Sequence, residues 1–399
     1  MVHTGENMKL SWVSAPPWAA TGYGKVTRNF ITRIKYPEEI NVVTCGGLST
    51  GPFVEWNGIK VYPGLSTDRS KGDIYITNLQ QLFTQNGTTH WVLHNDAWAF
   101  RNTIGQIGPK FPCITYSPVD GGHVSQEEYA ALNIAQERVA MCNYAEREIK
   151  RLGLSATNIP HGVDTKIYKP IDRDKARETC TLPKDEFVFG FVGTNISKRK
   201  GQYEMFEGLK QLWDTGRKFS VVMMTNINGQ QSGGYDLYRL ADYVGLPRHV
   251  LRFPTNAFAF SEEEMATWYN AFDAMLLLSR GEGFGIPILE AQACGTPVIG
   301  QDFSAMTELI EGHGILIPPK AFDCYTLKTQ LLAIGNPELF AKECAKCIDS
   351  PDLVKSMGKR ASKFTQKYDW DKIAPKWDRM FKRIDNEGFF PPFKIKEFK

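Results

Sequence analysis

The chain has 399 residues, 42% of them hydrophobic and 12% aromatic, enough to build the interiors of two or three domains. A formal net charge of +3 is too small for a dedicated nucleic-acid-binding protein, although a local basic patch fits within it. The eight cysteines show no paired spacing beyond a lone Cys344-x-x-Cys347, which excludes a disulfide scaffold and leads us to expect a reducing, cytoplasmic setting. No apolar run reaches the ~20 residues of a membrane span, and the polar start of the chain does not read as a signal peptide. Peripheral membrane contact stays open.

Residues 8–13 read as the first strand, and a helix is expected from near Gly24 to Ile34. Between them lies Gly22-Tyr23-Gly24, where bare backbone can approach a ligand. A plain turn explains two such glycines equally well. Short apolar runs at 40–43, 59–62, 73–77, 89–94 and 113–117 alternate with helical segments, the pattern of a doubly wound parallel sheet. Loops after such strands bind ligands. The loop after 113–117 holds Asp120 and His123; the bland alternative for His123 is a cap on the helix near Ser125. Residues 169–185 are charged and punctuated by proline, as a linker would be. Their Asp172-Arg173-Asp174 has the form of a metal-chelating pair but reads better as a solvated helix start.

A run buried on both faces follows at 187–193, then Lys198-Arg199-Lys200-Gly201. Three cations at the crest of a buried strand point to an anion: arginine offers a planar fork to two phosphate oxygens, lysine a point charge. Strands are expected at 221–226 and 250–254, and Ser261-Glu262-Glu263-Glu264 reads as a capped helix start. The apolar run 274–278 leads into a loop with Gly281, Glu282, Gly283 and Gly285, then a helix over 288–293 that Gly295 and Pro297 stop before the strand at Val298. Strand, glycine loop, helix and strand make a βαβ unit whose helix N-terminus offers backbone N–H groups to an anion. A carboxylate beside a phosphate site needs another task, such as holding hydroxyl groups; a nucleotide-sugar has phosphates flanked by hydroxyls on both sides. Beyond residue 319 the chain reads as helices.

The string Glu282-Gly283-Phe284-Gly285, with Glu290 eight positions after Glu282 and Cys294-Gly295-Thr296-Pro297-Val298-Ile299 behind it, resembles the Glu-x7-Glu signature of retaining glycosyltransferases of family 4, the glycosyl transferases group 1. The resemblance spans residues 8 to 385 and is tightest in the second half. It implies an α/β GT-B fold: two Rossmann-like, doubly wound domains facing across a cleft. The domains would be an acceptor-side domain at 1–170, a linker at 171–184, a nucleotide-sugar-binding domain at 185–365, and a helix crossing back with its tail at 366–399.

The resemblance also implies transfer of a hexose, of mannose or glucose type, from a UDP- or GDP-linked donor to an acceptor hydroxyl with retention of configuration. Carried over residue by residue, it gives Glu282, Asp120 and His123 to catalysis. Arg199, Lys200, Gly22, Gly24, Gly283, Phe284 and Gly285 surround the donor diphosphate, Glu290 takes the ribose, and the loop at Phe253 takes the base. Two positions depart from the pattern. Lys25 follows Gly24 where relatives carry arginine, and Thr194 stands where many have the phosphate-binding arginine, which leaves Arg199 and Lys200 as the carriers. The family's first-domain histidine falls here on Ser117 or Asp120, with His123 close behind. In this chemistry the departing phosphate takes the acceptor's proton, so no cofactor, metal or dedicated base is expected. Lipid, polysaccharide, protein, small molecule and modified nucleic acid all remain open as acceptors. A nucleotide-sugar epimerase and a catalytically silent nucleotide-sugar-binding module are the alternative classes.

Overall fold

The computed structural model describes residues 8–45, 52–64, 79–325 and 330–389. The strand expected at 73–77 and nearly all of the tail lie outside these residues. The described residues divide into two compact units, one of those within 8–161 with Gln330 and 370–389, the other of residues 162–325 and 331–369.

Unit 1 carries β1 (Lys9–Ser14), β2 (Glu39–Thr44), β3 (Val54–Trp56), β4 (Ile59–Tyr62), β5 (His90–Leu93), β6 (Cys113–Tyr116), β7 (Glu137–Ala140) and β8 (Thr157–Asn158). They lie in the order β3-β4-β2-β1-β5-β6-β7-β8. Only the short β3 runs antiparallel to its neighbour among the described pairings. Leu10, Trp12 and Val13 are fully buried, as are Trp91, Val92 and Leu93, because helices cover both faces of a parallel sheet. The strand order reverses between β1 and β5, so the loops after these two strands open at a switch point. One wall of this core comes from far along the chain. The helix Trp370–Glu387 buries Ile373, Trp377, Met380, Phe381 and Ile384 along one stripe. The Trp377 ring meets Trp12 edge-on at 6.0 Å, Phe30 at 5.2 Å and Tyr116 at 4.8 Å. A buried aromatic of this size is worth ~3 kcal/mol or more.

Unit 2 holds β9 (Phe187–Val192), β10 (Phe219–Met224), β11 (Leu251–Arg252), β12 (Ala274–Leu277), β13 (Val298–Gln301) and β14 (Ile315–Ile317). All are parallel, in the order β11-β10-β9-β12-β13-β14. The chain winds outward from β9 in one direction, returns, and winds outward from β12 in the other. The switch point therefore lies between β9 and β12, and open α/β sheets bind ligands at such a point.

Two expectations need correction. The run after residue 319 begins not with helix but with β15 (Ala321–Tyr325) and β16 (Gln330–Ile334), a two-stranded sheet. Phe322 and Cys324 alternate with Ala321, Asp323 and Tyr325, a period-two pattern, and helices return only at Pro337–Asp349 and Pro351–Thr365. The segment 171–184 is not a free linker. Asp172 accepts from the Lys175 N–H at 2.9 Å and caps the helix Arg173–Thr179. Arg177, wholly buried, donates to the carbonyls of Ala271, Pro183, Lys184 and Glu186 and to the Asp273 carboxylate. That five-donor fork ties the segment into unit 2. The main crossings between the two units fall at 161/162 and 369/370.

Candidate active site

The loops after β9 and β12 are built as one piece. Gly201 adopts a left-handed φ of 63° between the turn Lys198–Lys200 and the helix Gln202–Asp214. A Cβ there would stand 2.0 Å from the Leu278 carbonyl oxygen, so only glycine lets the helix start seat against the exit of β12. The Arg280 N–H donates to the Arg199 carbonyl at 2.7 Å, and Arg199 Nη1 donates back to the Gly281 carbonyl at 2.7 Å. Lys200 Nζ then reaches Glu282 Oε1 at 2.6 Å, and Arg199 Nη1 lies 3.3 Å from Glu282 Oε2. Arg199, Lys200 and Glu282, 82 to 83 positions apart in sequence, thus form one charged cluster at the switch point.

Burial alone would push the Glu282 carboxyl up. The Lys200 charge, then the Arg199 charge, outweigh burial and hold it down at about 2. Two cations thus stand against one buried carboxylate. Beside it, the helix Ile286–Ala293 starts at Gly285 with no side chain capping it, so its dipole adds to the positive field. Gly283 and Phe284 are buried in the intervening loop. This arrangement can hold a dianion such as a diphosphate while offering a carboxylate to hydroxyl groups next to it.

Glu290 lies apart from this cluster, buried on the second turn of the same helix. The Tyr269 hydroxyl donates to Glu290 Oε2 at 2.8 Å. The Tyr168 phenol faces the same carboxylate; burial first, then the Glu290 charge, push both phenols well above their ordinary range. Phe253 is half-buried just past β11, its ring edge-on to Tyr238 at 5.3 Å.

The unit 1 candidates occupy the C-terminal ends of its strands. Asp120 is half-buried and His123 exposed in the loop between β6 and the helix Gln126–Ile134. His123 has a left-handed φ of 57° and does not cap that helix, since Ser125 and Glu128 form a capping box instead. The helix after β1 begins at Gly22, two residues before the expected start. Gly24 has a local explanation: its N–H donates to Thr21 Oγ1 at 3.1 Å, and a Cβ would stand 2.4 Å from the Ala19 carbonyl oxygen. The bare backbone there serves the packing of its own loop.

Several contributors carry no sequence signal. Ser304 Oγ accepts the Glu282 N–H at 2.9 Å, from a residue held at a φ of 54° that non-glycine residues rarely adopt. Tyr168 and Tyr269 read as ordinary core aromatics, and Arg280 as one charge among many. Among the described residues no group of three or more His, Cys, Asp or Glu side chains is placed to hold a metal ion, and no helix is long and apolar enough to cross a membrane.

Residues 172–364 match the family model described as Glycosyl transferases group 1. The D-inositol 3-phosphate glycosyltransferase of Streptomyces bingchenggensis is 29% identical over 221 residues, 53% of this chain and 44% of that protein. D-inositol 3-phosphate glycosyltransferase 1 of Catenulispora acidiphila is 32% identical over 166 residues, 38% of each chain. The chain spans about half the length, or less, of the curated relatives it matches. Among solved structures, sucrose-phosphate synthase from Thermosynechococcus elongatus aligns with a TM-score of 0.77 at 18% identity, covering 94% of this chain and 99% of that one. Anabaena HepE in complex with UDP-glucose aligns at 0.72 and 17%, covering 94% and 99%. At such identities the likeness establishes the fold, the GT-B architecture of these glycosyltransferases.

Proposed function

We propose that the protein is a retaining glycosyltransferase of family 4, which moves a hexose from a UDP- or GDP-linked donor to an acceptor hydroxyl. One observation carries the reading: Arg199, Lys200 and Glu282 converge at the switch point of unit 2, beside an uncapped helix start. The leaving diphosphate develops negative charge as the glycosidic bond breaks. Arg199, Lys200 and the helix dipole lie where they stabilise that charge without reorganising. Glu282 stays ionised at neutral pH and accepts hydrogen bonds from donor-sugar hydroxyls. Glu290, oriented by its phenols, has acceptor capacity left for the ribose hydroxyls, and the loop at Phe253 meets the base. Asp120 and His123 supply polar groups on the acceptor side. The departing phosphate takes the acceptor's proton on the face it leaves, so turnover needs no metal. The match to group 1 glycosyltransferases over 172–364 supports the same reading. The eight free cysteines fit a reducing, cytoplasmic setting.

The test is a donor panel of UDP- and GDP-hexoses with simple alcohol acceptors, run with EDTA and again with added manganese. We expect nucleotide release and a product whose anomeric configuration, read by NMR, matches that of the donor. An inverted product refutes retention, and activity that EDTA abolishes and manganese restores refutes the metal-free mechanism. A product that keeps its nucleotide identifies an epimerase instead; donor binding without turnover identifies a silent module.

A further inference from the structure

The helix Gln202–Asp214 carries a carboxylate, Glu204, that is only 4% exposed and meets an arginine rather than solvent. Its Oε1 accepts from Arg280 Nη2 at 2.5 Å. Arg280 belongs to the loop after β12, two residues before Glu282, and three elements meet on it. Its N–H holds the Arg199 carbonyl at 2.7 Å, its own carbonyl accepts the Ala333 N–H of β16 at 2.8 Å, and its guanidinium holds Glu204.

This pair is poorly explained as a source of stability. Glu204 Oε2 and Arg280 Nε are buried without partners, and the amide of Gln301, fully buried at the end of β13, makes no hydrogen bond at either end. A Cβ on Gly335 would meet the Glu204 Cβ at 3.1 Å and Gln301 Oε1 at 3.4 Å, so the Glu204 and Gln301 side chains pack around the same glycine. A half-satisfied buried ion pair recovers its desolvation cost poorly, and well-packed apolar residues often do as well or better. What the pair does deliver is geometry. It fixes the N-terminus of one helix to the loop of the next βα unit, on the two sides of the switch point. It also neutralises the Arg280 charge, which would otherwise repel Arg199 and Lys200.

We propose that Glu204 and Arg280 are positioning residues for the diphosphate cradle: their ion pair holds the Arg280 backbone where it orients Arg199, and through Arg199 it sets the affinity for a nucleoside diphosphate. The inference rests on the donor site proposed above and adds to it two residues that touch no donor group themselves.

The test is a double-mutant cycle, with affinity for UDP and GDP read by calorimetry and folding read by thermal melting. Glu204→Leu combined with Arg280→Met removes the pair without stranding a buried charge. It should melt near the unaltered protein, yet bind the diphosphate about tenfold more weakly. In an Arg199→Ala background the same pair of substitutions should cost less than twofold, because the residue it acts through is gone. Unchanged affinity, or an equal loss in both backgrounds, overturns the proposal. If the double variant does not fold, Arg280→Lys repeats the cycle, since an ammonium keeps the charge and loses the fork. If neither UDP nor GDP binds the unaltered protein, the donor-site reading fails. The positioning role is then judged from a crystal structure of the variant: a residue-280 N–H still 2.7 Å from the Arg199 carbonyl, with Lys200 still on Glu282, overturns it as well.

Discussion

Replacing Glu282 with glutamine removes the counter-charge of the cradle and keeps its shape. The carboxyl sits at about 2 against an ordinary value of 4.5. At ~1.4 kcal/mol per pKa unit that is about 3 kcal/mol favouring the folded, ionised state. The Arg199 side chain is 32% exposed, so its share is screened; Lys200, at 12%, is screened far less. We therefore expect Glu282→Gln to cost unit 2 roughly 2–3 kcal/mol at pH 7. The sign of the pH dependence follows from the depressed pKa. The contribution is whole above pH 4.5 and is lost as pH falls toward 2. The gap between the two proteins should shrink by more than half between pH 7 and pH 3. Urea denaturation followed by hydrogen exchange at unit 2 amides measures that gap. A gap that stays constant with pH would show that the carboxylate charge contributes nothing there, and the cluster would then be a crowded loop rather than an electrostatic device.

Arg199→Ala should weaken UDP or GDP binding by about 1.5–3 kcal/mol, the worth of hydrogen bonds to a charged group, as read by calorimetric titration. Glu290→Gln should weaken nucleotide-sugar and free nucleoside diphosphate alike, since both carry the ribose, whereas Glu282→Gln should spare the free diphosphate; paired titrations with both ligands check the division, and equal losses for Glu282→Gln sink it. Asp120→Ala should cut turnover in the donor-panel assay and leave nucleotide affinity nearly intact, with a smaller loss for His123→Ala. In unit 1, burial pushes His94 well below 6.5 and His161 down to about 3. Both stay neutral when folded, so unit 1 should lose stability as pH falls from about 6.5 toward 3, at roughly 1.4 kcal/mol per pH unit for each histidine. A His161→Phe variant should show a shallower decline in denaturation midpoint over that range, and equal declines would refute the assignment.

The parts legible in the sequence were those with local grammar. Apolar runs such as 187–193 and 274–278 announced parallel strands, and the cations and carboxylate fell at strand exits, where the chemistry collects. Arg177 was not legible, because one buried arginine tied to four carbonyls leaves no period or motif, only a charge in a stretch that looked like a linker. The alternation over 321–325 was local but only five residues long, too short to stand out before the helices that follow from Pro337. Gly24 shows that one residue can carry two readings: its own Ala19 carbonyl demands the missing Cβ, whatever else approaches that loop. Glu204 and Arg280, 76 positions apart, could be joined only once the sheet order was known.

The wall that Trp370–Glu387 supplies to unit 1 has a consequence for how the chain comes to be folded. Synthesis proceeds from the N-terminus, and domains generally fold as they emerge. Unit 2 is complete in sequence by residue 369, but unit 1 still lacks the side chains that cover Trp12, Phe30 and Tyr116. The half of the protein made first is thus finished last, and its unfilled aromatic surface waits on the ribosome while the second half folds. Any frameshift or stop between residues 370 and 387 would leave unit 2 whole and the older half unsealed, a substrate for chaperones and proteases rather than a shortened protein.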